Sequence, residues 1–126
     1  MRNSIISILL FIILLGFLTY ADISFKNLCT DIVDTCTEME DNLKSNSKNE
    51  NYEKSLKLYN LIDKQSAFAS LYINHMDYDV ILNEALKLTV YIETDDFSET
   101  EASLHLLKVT TAHMKELQVP NIKNIF

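Results

Sequence analysis

A metal site is the first chemistry that the polar residues of this sequence suggest. His75, Asp77 and Asp79 would offer one imidazole and two carboxylates to a cation. Their alternating spacing suits a helical ligand set poorly, since positions on one helical face recur every three or four residues. Asn74 followed three residues later by Asp77 instead fits a helix start with an N-cap and an acid in the first turn. We interpret the segment as a cap with a buried structural histidine, and predict no metal ligands in the chain.

Two other groups of polar residues have equally ordinary interpretations. Residues 93–101 read ETDDFSETE, which is acidic enough to suggest calcium. The segment lacks the glycine and the alternating ligands of an EF-hand loop, so we interpret it as a solvated turn. His105 and His113 are eight positions apart, and we expect them to flank a core rather than to bind a ligand.

The two cysteines, Cys29 and Cys36, invite a disulfide that geometry excludes within one helix. Seven helical residues separate Cα atoms by about 10 Å, whereas a disulfide spans at most about 7 Å. We interpret both as small buried apolar residues, with pairing across a parallel dimer as the alternative. The sequence contains no GxSxG, HExxH, CxxC or Gly-rich phosphate loop. We therefore predict no catalytic, cofactor-binding or metal-binding residues, and no cofactor.

The elements that would position any site begin with an apolar stretch. Residues 5–21 carry no charge, and as a helix they would extend about 25 Å, close to the ~30 Å hydrocarbon core of a bilayer. Arg2, the apolar run and the small residues Thr19 and Ala21 also fit a cleavable secretory signal. We favour a retained anchor. Arg2 before the stretch and Asp22 directly after it predict that the rest of the chain lies outside the cytoplasm.

Residues 22–126 are long enough for one small domain and carry a net charge of −8, since the whole chain has −7 and Arg2 alone lies before them. That charge argues against nucleic acid as a partner. The only Gly lies in the apolar stretch, and the only Pro is Pro120. Because hairpins need turn residues that accept positive φ, the composition predicts helices.

Apolar residues recur at helical spacing in four segments separated by polar turns. The predicted first stripe is Phe25, Cys29, Ile32, Cys36, Met39 and Leu43, on a helix continuous with the anchor; the second is Tyr52, Leu56, Tyr59, Ile62, Phe68, Ala69, Tyr72 and Ile73; the third is Tyr78, Ile81, Leu82, Ala85, Leu88 and Ile92; the fourth is Leu104, Leu107, Thr111, Met114 and Leu117. Residues 45–51 are the predicted linker after the first helix, and Asp95, Asp96 or Ser98 would cap the fourth. Val119 and Pro120 would end that helix, and the tail 121–126 would pack back onto the bundle.

The sequence thus predicts an all-α protein, with an N-terminal transmembrane helix followed by a small four-helix antiparallel bundle. Residues 1–21 would be the transmembrane anchor, or an uncleaved signal, and residues 22–126 the exported helical domain. A polar turn followed by an aromatic residue occurs before both Tyr52 and Phe97. This would also fit two stacked helical hairpins of a repeat scaffold, although an ordinary bundle explains it equally well.

Residues in all parts of the body resemble a known family. They are Tyr52 with Ser55 and Leu58, His75 with Asp79 and Ile81, Tyr91 and Ile92 followed by Asp95 or Asp96, Leu107 with Lys108, and the tail NIKNIF. This pattern resembles DUF4363, a family of small uncharacterised membrane-anchored helical proteins of endospore-forming Firmicutes. The family's usual Trp near position 52 is Tyr here, and the two cysteines are not part of its pattern. The resemblance implies a retained anchor and a bacterial cell-envelope location, and implies no activity.

These observations favour a protein that acts by contact. We predict a non-enzymatic accessory or scaffold subunit of a cell-envelope complex, partnered by the membrane and by another membrane or envelope protein, or by itself. A small secreted or anchored enzyme is the alternative from another class. An enzyme of this architecture would place titratable side chains inside the bundle, and the predicted stripes contain almost none.

Overall fold

The computed structural model of the chain describes residues 1–45, 48–70 and 73–117, and all regular structure in these ranges is helical. The helices are α1 (Arg2–Leu43), α2 (Lys48–Lys64), α3 (Ser66–Ala69), α4 (His75–Glu93) and α5 (Phe97–Leu117). Helix α1 packs against α2 and α5, and α4 packs against the same two helices from the other side. Short connections make successive long helices antiparallel. The predicted helical bundle is therefore confirmed, with α3 as an additional single turn between α2 and α4.

Helix α1 contains both the apolar stretch and the first helical segment of the bundle. Its 42 residues form one unbroken helix of about 63 Å. Every residue from Met1 to Tyr20 is exposed, and the first buried residue is Ala21, at 2 % exposure. The packed body therefore begins where the apolar run ends, with no flexible connection between them.

Three of the four predicted stripes form the core. The buried residues of these helices include Phe25, Cys29, Ile32, Cys36 and Met39 on α1, Tyr78, Ile81, Ala85, Leu88 and Ile92 on α4, and Leu104, Leu107, Thr111 and Met114 on α5. The prediction was wrong for Leu117, the last residue of the fourth stripe, because its side chain is 56 % exposed at the end of α5. Residues 118–126, which include the predicted stop at Pro120 and the packed tail, lie outside the described residues.

Helix α2 differs most from the prediction. It begins at Lys48, inside the predicted linker, and ends at Lys64 instead of continuing to Ile73. Its buried residues are Asn51, Ser55, Leu58 and Ile62, so the buried face is rotated by about one residue from the predicted one. Leu56 is 37 % exposed. Burial of Ser55 costs little because its hydroxyl donates to the carbonyl of Tyr52 at 2.7 Å.

The predicted caps are present at two helix starts. Asn74 Oδ1 accepts a hydrogen bond from the backbone N–H of Met76 at 2.9 Å, at the start of α4. Asp96 Oδ1 accepts from the N–H of Glu99 at 3.2 Å, at the start of α5. Each carboxylate or amide oxygen satisfies one of the N–H groups that a helix start leaves unpaired. Between α4 and α5, Asp95 has a φ of 60°, a left-handed conformation that Asp tolerates better than most residues.

Candidate functional site

The polar residues that the sequence offered as metal ligands are not assembled into a site. His75, Asp77 and Asp79 are all exposed on the first turn of α4, so the interpretation of His75 as a buried structural residue was wrong. The cap oxygen comes from Asn74 instead, which leaves the imidazole in solvent. His105 and His113 are also exposed, on α5. Within residues 1–45, 48–70 and 73–117, no three His, Cys, Asp or Glu side chains are grouped to hold a metal ion.

The two cysteines are buried free thiols facing the core. Cys29 is 1 % exposed and Cys36 is fully buried. Burial raises the pKa of Cys29 to about 12, against the lowering effect of Lys115. Burial likewise raises the pKa of Cys36 to about 12, helped by Glu40 and opposed by Lys108. Both thiols are therefore neutral at physiological pH, which fits the apolar role expected of them.

This burial predicts that the native thiols resist alkylation. At pH 9 a thiol with a pKa of about 12 is only about 0.1 % thiolate, the reactive form. We expect mass spectrometry to find no modification of Cys29 or Cys36 in the folded protein, and modification of both in denaturant. Ser45→Cys, at an exposed position, is the positive control. Fast alkylation of either native thiol without unfolding would contradict the buried placement.

The raised pKa values of the two thiols also predict how the stability of the fold depends on pH. The folded pKa lies above the unfolded value, so the unfolded chain binds fewer protons than the native chain above about pH 9. The neutral thiols therefore make their full contribution to the free energy of unfolding below about pH 9. This contribution is lost as the pH rises toward 12.

A pocket lies at the end of the bundle remote from the apolar run, where α1 ends, α2 begins, and α4 turns into α5. It has a volume of about 240 Å³. Its apolar lining is Leu43, Tyr91, Ile92 and Phe97, and its polar lining is Lys48, Asn51, Asp95 and Thr100. We call it the distal pocket. Phe97 lines it although its side chain is 55 % exposed, so an aromatic ring is available to a partner there.

An ion pair ties two sides of the distal pocket together. Lys48 Nζ lies 2.9 Å from Asp95 Oδ1, and it also donates to the carbonyl of Glu93 at 3.3 Å. Both charged side chains are largely exposed, so the pair contributes at most about 1 kcal/mol to stability. Its structural effect is to hold the start of α2 against the left-handed α4–α5 turn. The Thr100 hydroxyl is also engaged, since it donates to the carbonyl of Asp96 at 2.7 Å.

Asn51 is the exceptional residue of the distal pocket. It is 2 % exposed, and its Oδ1 has no hydrogen-bond partner among the residues that the structure describes. A buried acceptor left unpaired costs about 1–3 kcal/mol. Because Asn51 also lines the distal pocket, a small movement of its side chain would present this oxygen to a ligand that carries a hydrogen-bond donor.

Asn51 was missed in the sequence because it was placed at the end of the predicted linker. The sequence did contain an indication of its burial, because positions 51, 55, 58 and 62 have the helical spacing four, three, four. This buried stripe was not recognised because Asn51 and Ser55 are polar.

A comparison with known protein families matches residues 19–125 to a domain of unknown function, DUF4363. The chain belongs to the DUF4363 family. The match covers the packed body and every residue of the distal pocket, and it confirms the resemblance noted in the sequence. No curated protein and no solved structure matches the chain.

The apolar part of this DUF4363 protein lies mostly before the matched region. Among the described residues, α1 alone is long and apolar enough to cross a membrane, with a mean hydropathy of 2.5 over its most apolar window. Only 6 % of that window is buried. A secretory signal sequence near the N-terminus can contain an equally apolar helix.

Proposed function

We propose that this protein is a membrane-anchored, extracytoplasmic helical protein that acts by contact, as a non-catalytic accessory or scaffold subunit of a cell-envelope complex. The observation that carries the proposal is the distal pocket, which is lined by the buried residue Asn51, whose Oδ1 has no hydrogen-bond partner among the described residues. A binding role explains why a polar atom that lowers stability occupies this position.

The continuity of α1 supports the anchored arrangement. Residues 5–21 are uncharged, and all of them except Ala21 are exposed, as a segment surrounded by lipid would be. From Ala21 to Leu43 the same helix rises by about 33 Å, so a bilayer at the apolar run would hold the distal pocket at a fixed height. Arg2 before the run and Asp22 after it favour an outward-facing body.

The chemistry of the distal pocket indicates what the partner presents. A volume of about 240 Å³ has room for one or two side chains rather than for a large cofactor. Its walls suit an apolar or aromatic group, and Asn51 suits a donor on the same group. The two charged groups of the lining and the hydroxyl of Thr100 are already bonded to each other or to backbone carbonyls, which favours recognition over nucleophilic catalysis. The partner is another membrane or envelope protein, or a second copy of this chain.

The decisive variant is Asn51→Leu in the full-length protein. Removing the unpaired oxygen should stabilise the bundle by about 1 kcal/mol, or roughly 4–8 °C in Tm, while partner binding is lost. Thr111→Val is the matched control, because Thr111 Oγ1 is also buried and unpartnered among the described residues but does not line the distal pocket. Asn60→Leu repeats the same exchange at an exposed position of α2.

A photo-crosslinking residue at position 97 should report the partner in the native envelope. We expect a discrete crosslinked species with the parent protein, with Thr111→Val and with Asn60→Leu, and at least a tenfold weaker one with Asn51→Leu, corresponding to about 1.4 kcal/mol of lost binding. An uncrosslinked monomer in every case would reject the accessory-subunit proposal. Equal crosslinking of all variants would reject the distal pocket as the contact site.

A further inference from the structure

We infer that α3 is seated in the outer headgroup layer of a phospholipid bilayer, with the ring of Phe68 at the hydrocarbon boundary. The bundle then rests directly on the lipid surface rather than standing above it on a stalk. This inference rests on the proposed function, since it takes residues 5–21 to be the membrane span.

The starting observation is a contact between α3 and the apolar run. The ring of Phe68 packs edge to face against Phe17, with centroids 6.1 Å apart, and against Tyr20, with centroids 6.3 Å apart. Both partner rings precede Ala21, the first buried residue of the body. Phe17 lies about 6 Å before Ala21 along the helix axis, so α3 reaches back beside the span itself.

The length of the span places the ring contacts of Phe68 at the edge of the hydrocarbon layer. Residues 5–21 cover about 25 Å, which is about 5 Å less than the usual hydrocarbon thickness. The mismatch is relieved when neighbouring apolar surface also enters the bilayer or when the bilayer thins. Ile23 follows the run and is 53 % exposed, so apolar surface continues past Ala21. Phe17, Tyr20 and the Phe68 ring between them therefore lie at or below the interface.

Two hydroxyls and two backbone N–H groups in and directly after α3 are bonded to nearby backbone carbonyls. The hydroxyl of Ser66 donates to the carbonyl of Asp63 at 2.8 Å, and that of Ser70 donates to the carbonyl of Ala67 at 2.7 Å. The backbone N–H groups of Ala69 and Ser70 donate to the carbonyls of Gln65 and Ser66. Entry into the interface therefore leaves none of these donors unpaired, which is the main cost of placing backbone near lipid.

The surface changes from apolar to polar just above this level. A groove beside Tyr20 and Phe68 is lined farther up by Ser24, Asn27, Asp31 and Lys64. Asp22, directly after the run, forms an ion pair at 2.9 Å with Lys26 one turn later. Such a polar band suits phosphate and ammonium headgroups, and Tyr20 has the amphipathic ring typical of the membrane interface.

Two large apolar side chains at the same end of the bundle are exposed in the part of the chain that the structure describes. Met76, on the first turn of α4, is 75 % exposed, and Leu117, at the end of α5, is 56 % exposed. In an aqueous environment both side chains would leave apolar surface exposed to water, whereas contact with lipid would bury it.

The chain contains no tryptophan, so a single introduced indole reports depth without background. The full chain would be reconstituted in phosphatidylcholine vesicles containing a lipid brominated on the upper acyl chain. Phe68→Trp emission should fall about twofold relative to unbrominated vesicles, as for an indole within a few ångströms of the boundary. Phe97→Trp, at the distal pocket, should be unaffected. Phe17→Trp tests the span itself and should be quenched as well.

The three positions separate failure of the inference from failure of the anchor. Quenching at position 17 but not at position 68 would overturn the seating of α3 and leave the membrane anchor intact. An unquenched indole at position 17 would overturn both. If Phe68→Trp disrupts the packing, Met76→Trp replaces an exposed side chain at the same end and should be quenched, and an unquenched Met76→Trp would overturn the inference.

Discussion

Ile32→Asp should unfold the helical bundle, and Leu104→Asp should do the same. Both side chains are completely buried, one on α1 and one on α5. An unpaired carboxylate in such a site costs several kcal/mol, against a total stability of about 5–15 kcal/mol for a small domain. Thermal melting followed by helical circular dichroism, on the full chain in detergent micelles, should show the cooperative transition lost or shifted down by tens of degrees.

The control introduces the same charge at a solvent-exposed position. Lys57 is exposed on α2, and Lys57→Asp should melt with the parent protein. Residual helicity in the two core variants is expected, because the apolar part of α1 stays helical in micelles when the bundle opens. Cooperative melting at the parent temperature with Asp at position 32 or 104 would refute the packing of the core.

The sequence predicted most of the core on the helices whose buried face is largely apolar, although Thr89 on α4 and Thr100 and Ser103 on α5 are buried as well and were not predicted. On α1, α4 and α5 the apolar residues recur every three or four positions, and burial follows that pattern. The capping predictions succeeded for a related reason: Asn74 and Asp96 satisfy N–H groups of their own helices, so their role depends on neighbouring residues alone.

The prediction failed on α2 because tertiary contacts there override polarity. Ser55 is buried with its hydroxyl bonded to its own helix, while Leu56 beside it is partly exposed. The break after Lys64 and the turn α3 that follows it contain neither Gly nor Pro, so local sequence gave only a polar interruption as a sign.

The candidate site could not be predicted because it is assembled from two chain segments that are far apart in the sequence. The distal pocket unites Leu43, Lys48 and Asn51 with residues between 91 and 100, about forty positions farther along the chain. Its geometry depends on the left-handed Asp95 and on the ion pair of that residue with Lys48. Neither is encoded by periodicity, and the Asn51 oxygen, which lacks a partner among the described residues, becomes apparent only when its surroundings are known.

Retention of the apolar segment is the other prediction with an all-or-none effect. We expect residues 1–21 to remain attached, and the protein to fractionate entirely with the membrane, because a helix of this length and hydropathy partitions irreversibly into a bilayer. N-terminal analysis of the mature protein, together with fractionation, measures both. A mature chain beginning at Asp22 and recovered from the medium would reject the anchor.

Orientation can be read in the same cells from a single introduced thiol. Ser45→Cys places a reactive group at an exposed position near the distal pocket, whereas the native Cys29 and Cys36 are buried and have pKa values of about 12. The native thiols should therefore give no background with a membrane-impermeant reagent. Labelling of Ser45→Cys in intact cells is expected, because Arg2 favours the cytoplasmic side for the end that precedes the span. Labelling only after lysis would place the bundle inside the cell, where the distal pocket would meet cytoplasmic rather than envelope partners.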